Sequence, residues 1–160
     1  MNRSDLATEL SKAFVEQPWH GPSLVRVLEE VPFECVNRRA GSAHSIAEIV
    51  YHLTGWTEEC VSRLQNNQPR QPARGDWPTD FGPDMDSWKQ LLNELFSAHK
   101  MFAGLVSDLS DAELQEKIGT VDDPEMATGV TKAQTISGIV QHYAYHAGQI
   151  ILLVRLFDKE

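Results

Sequence analysis

The chain has 160 residues and a mass of 18.0 kDa, enough for one sizeable hydrophobic core and short for two, so a single domain spanning residues 1–160 is expected. With 41% hydrophobic and 23% charged residues the composition is that of a soluble globular protein, not of a disordered, collagenous or membrane-embedded one. Fourteen basic against twenty-three acidic residues leave a net charge of −9, which repels phosphate backbones and anionic lipid surfaces and argues against nucleic acid or membrane as partners.

Apolar residues recur every three or four positions, and no stretch keeps the two-residue alternation of a strand, so the expected class is all-α. The first helix is expected from Ser4 to about Gln17, with Leu6, Leu10, Ala13 and Phe14 inward and Pro18 stopping it. Gly21 and Pro22 restart a shorter helix carrying Leu24, Val27, Leu28 and Val31. Ser45 and Glu48 form a capping box that opens a long helix to about Gln65, striped by Ile49, Leu53, Trp56, Cys60 and Leu64. A loop dense in Pro, Gly, Asn and Asp runs from Asn66 to Pro83. The next helix places Trp88, Leu92, Leu95, His99, Phe102, Val106 and Leu109 at bundle-core spacing. Ser110 to Glu113 marks a helix of one or two turns, and Gly119 to Gly129 shows no periodicity and is expected to be a loop. Thr131 and Gln134 make another capping box, launching a last long helix that ends near Phe157 and turns Ile139, Tyr143, Ile150 and Leu153 inward.

Ala133 to Val154 carries no formal charge, but three glutamines and two histidines make membrane insertion costly; a buried bundle helix explains the segment better. Four long amphipathic helices then suggest a four-helix bundle, an architecture that places metals and ligands between facing helices. Cys35 and Cys60 lack CxxC spacing, and no basic leader precedes an apolar stretch, so a reducing, cytoplasmic setting is expected.

Six histidines are the unusual element. His142 and His146 stand four apart and project from one helical face, in phase with Ile150 and Leu153. His52 lies at the edge of the apolar face of the second long helix. Taken singly, each is more often a hydrogen-bonded core residue than a ligand. Taken together, three neutral imidazoles in one small core need three sets of partners, and a divalent cation satisfies all three. Three neutral ligands with an open fourth position describe a catalytic metal site. Tyr143 after His142 departs from the zinc-protease signature, and no histidine has the preceding glutamate of a di-iron bundle. His99 reads as a core residue, a fourth ligand or a proton shuttle, and His20 as a turn residue or part of a pocket mouth. Glu48 is expected to cap its helix, although it also stands one turn before His52; Arg38 and Arg39 read as solvated charges that would also suit an anionic cofactor, and Gln149 as a polar cap or a water-holding group.

Three segments carry a family resemblance: Pro18-Trp19-His20-Gly21-Pro22-Ser23-Leu24, His44-Ser45-Ile46-Ala47-Glu48-Ile49-Val50-Tyr51-His52, and, most specific, Gln141-His142-Tyr143-Ala144-Tyr145-His146-Ala147-Gly148-Gln149-Ile150. Over nearly its whole length the chain resembles the small bacterial members of the DinB-like superfamily. The resemblance implies a four-helix bundle of DinB-like type with a three-histidine divalent metal site, here His52, His142 and His146. It further implies zinc or nickel as the metal, a low-molecular-weight thiol such as bacillithiol, mycothiol or glutathione as co-substrate, and a homodimer. The expected activity is thiol-dependent S-transfer to a small electrophile; the alternative is a non-catalytic, stress-related protein that binds metal or a small ligand.

Overall fold

A computed structural model describes residues 2–78, 81–119, 126 and 129–158. Among the described residues, five α-helices follow one another: α1 (Arg3–Phe14), α2 (Leu24–Glu29), α3 (Ile46–Leu64), α4 (Met85–Asp108) and α5 (Lys132–Phe157). Single 3-10 turns intervene at Phe33–Cys35 and Glu113–Gln115, and the described residues include no strand, only one isolated bridge between Lys117 and Thr131.

The capping boxes read from the sequence hold as hydrogen bonds. Glu48 N–H donates to Ser45 Oγ and Ser45 N–H to Glu48 Oε2 at 2.7 Å; Thr131 N–H donates to Gln134 Oε1, also at 2.7 Å. Each pair satisfies two amides that a helix start leaves without partners. The first helix is shorter than its pattern suggests. The amides of Val15 and Glu16 both turn back to the Ser11 carbonyl, at 2.9 and 3.0 Å, and close the helix at Phe14, ahead of Pro18. On α4 the expected stripe is buried at Trp88, Leu95, Phe102, Val106 and Leu109, but Leu91 and Ala98 take the places expected for Leu92 and His99, which are half-buried.

The four long helices form a closed ring in which α1 packs on α4 and α5, and α3 packs on α4 and α5, while α2 lies against α5. Tyr143, Phe14, Phe102, Leu53 and Ile150 are among the fully buried side chains at its centre. α3 and α5 are also joined by a polar contact. Thr57 spends its one hydroxyl proton on the Leu53 carbonyl at 2.7 Å, so Tyr143 Oη donates to Thr57 Oγ1 at 3.0 Å. Complete burial pushes the Tyr143 phenol pKa up and keeps it a neutral donor. Among the described residues, no helix is long and apolar enough to cross a membrane.

The long connection before α4 is tied to α3 and α4 at several of its described residues. Arg63, buried on α3, meets Glu59 Oε1 at 3.1 Å and donates to the carbonyls of Met126 and Arg70. Glu59 also accepts from the Arg70 amide at 2.8 Å. Further along, Arg74 bridges Glu58 on α3 and Glu94 on α4, and the Tyr51 hydroxyl donates to the Arg74 carbonyl. These contacts bring Asp76 and Trp77 against α3.

Candidate metal centre

His52 sits two turns into α3, and His142 and His146 lie on successive turns of α5, so the packing of α3 on α5 brings the three rings together. The Nε2 atom of His142 is 3.0 Å from that of His52 and 3.0 Å from that of His146. One ligand atom from each of the three lies within 4.8 Å of the other two. Metal–nitrogen bonds of about 2.0–2.1 Å spread imidazole nitrogens on one cation by roughly 2.9–3.4 Å, and the two separations from His142 Nε2 fall in that range.

Hydrogen bonding on the far side of the rings strengthens this fit. His52 Nδ1 faces Asp76 Oδ1 at 2.9 Å and the Asp76 carbonyl at 3.2 Å; both are acceptors, so Nδ1 carries the proton. His146 Nδ1 donates to Gln149 Oε1 at 2.6 Å. In the neutral rings both Nε2 atoms are therefore bare lone pairs aimed at His142 Nε2, whose single proton can serve only one of them. A cation resolves this surplus of acceptors.

The rings are held neutral. Burial depresses the His142 pKa to about 3, helped by the nearby His146 and His52 rings. Burial likewise takes His146 down to about 4 against the opposing Gln149 contact, and lowers His52 despite Asp76. Neutral imidazole is the form that ligates metals.

Asp76 and Trp77 are the parts that helix periodicity did not reveal. Asp76 Oδ1 also accepts from Trp56 Nε1 at 2.6 Å, and Trp77 stacks on His52 with ring centres 4.0 Å apart and planes within 7°. His44 covers the other face of Trp77 at 3.7 Å. The sequence signal was a Trp on the α3 stripe and an acidic residue in a loop too long to be idle. Replacing Asp76 with alanine is expected to lower metal affinity about 10–100-fold while Asp76→Asn, which keeps an acceptor oxygen, loses less. Competition with a chromophoric chelator measures both.

The remaining candidates lie elsewhere. His99 is stacked on Phe14 at 3.6 Å, its Nδ1 has no partner among the described residues, and it is outside the cluster, so it is a core residue and not a fourth ligand. His20 is exposed beside an exposed Trp19. Glu48 caps α3 and pairs with Arg39, while Arg38 lies over the Phe157 ring, so these charges serve the helix ends. Gln149 holds His146 directly.

Two cavities flank the cluster. One, of 610 Å³, opens between α5 and the stacked rings of His44 and Trp77; the other, of 690 Å³, lies on the Trp56 and Cys60 side. His52, His142 and Tyr145 line both. A family model described as the DinB superfamily matches residues 19–150. No curated protein and no solved structure matches the chain.

Proposed function

The chain belongs to the DinB superfamily, and from that premise we propose that it is a divalent-metal-dependent S-transferase. In this reading His52, His142 and His146 hold zinc or nickel, and an exogenous thiol is joined to a small electrophile. The observation that carries it is the convergence of three Nε2 atoms with cavities on both sides, which leaves a bound metal reachable by two small molecules. A cation held there would supply a Lewis-acidic position that keeps a thiol in its thiolate form at neutral pH.

The side chains of the protein supply the rest. Asp76 and Gln149 keep the Nδ1 protons of His52 and His146 in place, so that both rings present Nε2. Trp77 prevents His52 from turning and shields it from water. In the transfer a carbon–sulfur bond forms, the bond to the electrophile's leaving group breaks with its electron pair going to that group, and the thiol proton passes to solvent. The nucleophilic sulfur comes from outside the chain: Cys35 and Cys60 are both buried, and burial pushes the Cys60 thiol up to about 12.

Substitution with cobalt(II) tests the reading. Untagged protein is expected to bind one cobalt ion, and added thiol to change its visible spectrum and produce a thiolate-to-metal charge-transfer band. A cobalt spectrum indifferent to every thiol would point instead to the non-catalytic, binding role.

A further inference from the structure

The metal reading leaves open what kind of molecule the site admits, and the distribution of charge around the two cavities bears on this. The cavity beside Trp77 has, apart from its histidines and Gln149, an apolar wall made of Ala43, Ile49, Trp77, Tyr145, Leu152 and Leu153. Among the described residues, no Asp, Glu, Lys or Arg lines it. Its mouth is apolar as well, since Tyr145 and Leu152 are 64% and 59% exposed there.

Among the described residues, one basic residue, Arg63, lines the second cavity, and its guanidinium is already committed. Its Nε meets Glu59 at 3.1 Å, its Nη1 the Met126 carbonyl at 2.9 Å and its Nη2 the Arg70 carbonyl at 3.5 Å, with the side chain only 4% exposed. The acidic residue lining that cavity, Asp76, is engaged by His52 and Trp56. Among the described residues, then, neither cavity offers an uncommitted cation to a ligand's carboxylate or phosphate.

Three neutral imidazoles, with the Asp76 carboxylate behind His52 as the one nearby anion, still leave a divalent cation with net positive charge, so one negative charge on the donor atom itself is welcome. A second negative charge further along the ligand would sit against an apolar wall in a chain of net charge −9, with no uncommitted cation among the described lining residues to offset its desolvation. The geometry points to a ligand that is anionic only at its metal-binding atom, with an uncharged aryl or alkyl body lying against Tyr145, Leu152 and the edge of Trp77. This inference rests on the three-histidine metal reading and narrows it, because it disfavours co-substrates that carry several carboxylates.

The probes are benzyl mercaptan and 4-(mercaptomethyl)benzoate, which share a body and differ by one carboxylate. Each is titrated into the cobalt-loaded full chain and followed by the charge-transfer band. Benzyl mercaptan is expected to bind at least about tenfold more tightly. Leu152→Lys should narrow that gap by recovering the benzoate, and Leu152→Glu should widen it; at an exposed position neither change threatens the fold. Equal affinities in the unaltered protein, or a gap that ignores both Leu152 variants, would overturn the inference. If no cobalt binds at all, the metal reading falls and the ligand preference falls with it, an outcome distinct from cobalt that binds but does not discriminate.

Discussion

Replacing His146 with alanine is expected to abolish stoichiometric metal uptake while the bundle stays folded. The substitution removes one corner of the Nε2 triangle and leaves His142 and His52, of which only the second has its tautomer fixed by a carboxylate. Two imidazoles on different helices do not hold a zinc-like ion against water, so affinity should fall by about two orders of magnitude or more, measurable by elemental analysis after dialysis. The pH dependence is a second readout. His142 and His146 titrate near 3 and 4 in the folded chain, below the ordinary value of 6.5, mainly because burial disfavours the charged ring. A pKa depressed on folding means that the unfolded chain takes up protons first, so the metal-free protein loses stability as pH falls from about 6.5 towards those lower values. Metal binding near pH 5.5 should consequently release few protons, since the ligands are already neutral. Calorimetry in buffers of different ionisation enthalpy measures that release, and release of two or more protons would contradict the neutral-ligand picture.

The largest loss of stability is expected at Arg63. Arg63→Met removes the main partner of Glu59, a carboxylate 3% exposed as a residue, leaving it with the Arg70 amide and an Arg70 side chain 3.8 Å away and mostly in solvent. Breaking a buried pair from one side costs about 3–5 kcal/mol, because an uncompensated charge stays behind. Urea denaturation should show this, and the double variant Glu59→Gln/Arg63→Met should recover much of it. Arg63 also holds the Arg70 carbonyl, at the start of the segment that delivers Asp76 and Trp77, so Arg63→Met should weaken metal binding too.

What was legible in the sequence follows from what is local. Capping boxes are written in four consecutive residues, and the His142/His146 pair in five, so Ser45, Thr131 and both α5 histidines were recognisable from spacing alone. His52 was recognisable because it lies beside an apolar stripe. Asp76 was not, since it reaches His52 across 24 positions through a segment with no period. The buried Glu59–Arg63 pair was equally hidden: i,i+4 pairs of this type usually face solvent, whereas here Arg70 and Met126, distant in sequence, close over it. On α4, Leu91 and Leu92 are chemically alike, and the choice of which one faces the core belongs to the packing of α3.

The positions of the three histidines along the chain have a consequence for the protein's lifetime. His52 and His142 are ninety residues apart, so a cation bound to both is a reversible cross-link closing a loop of more than half the polypeptide. Loops of that length lose much configurational freedom when closed, and the closure costs the unfolded ensemble far more than the native one. Metal supply would thereby govern how often α3 and α5 part and how readily proteases reach the chain.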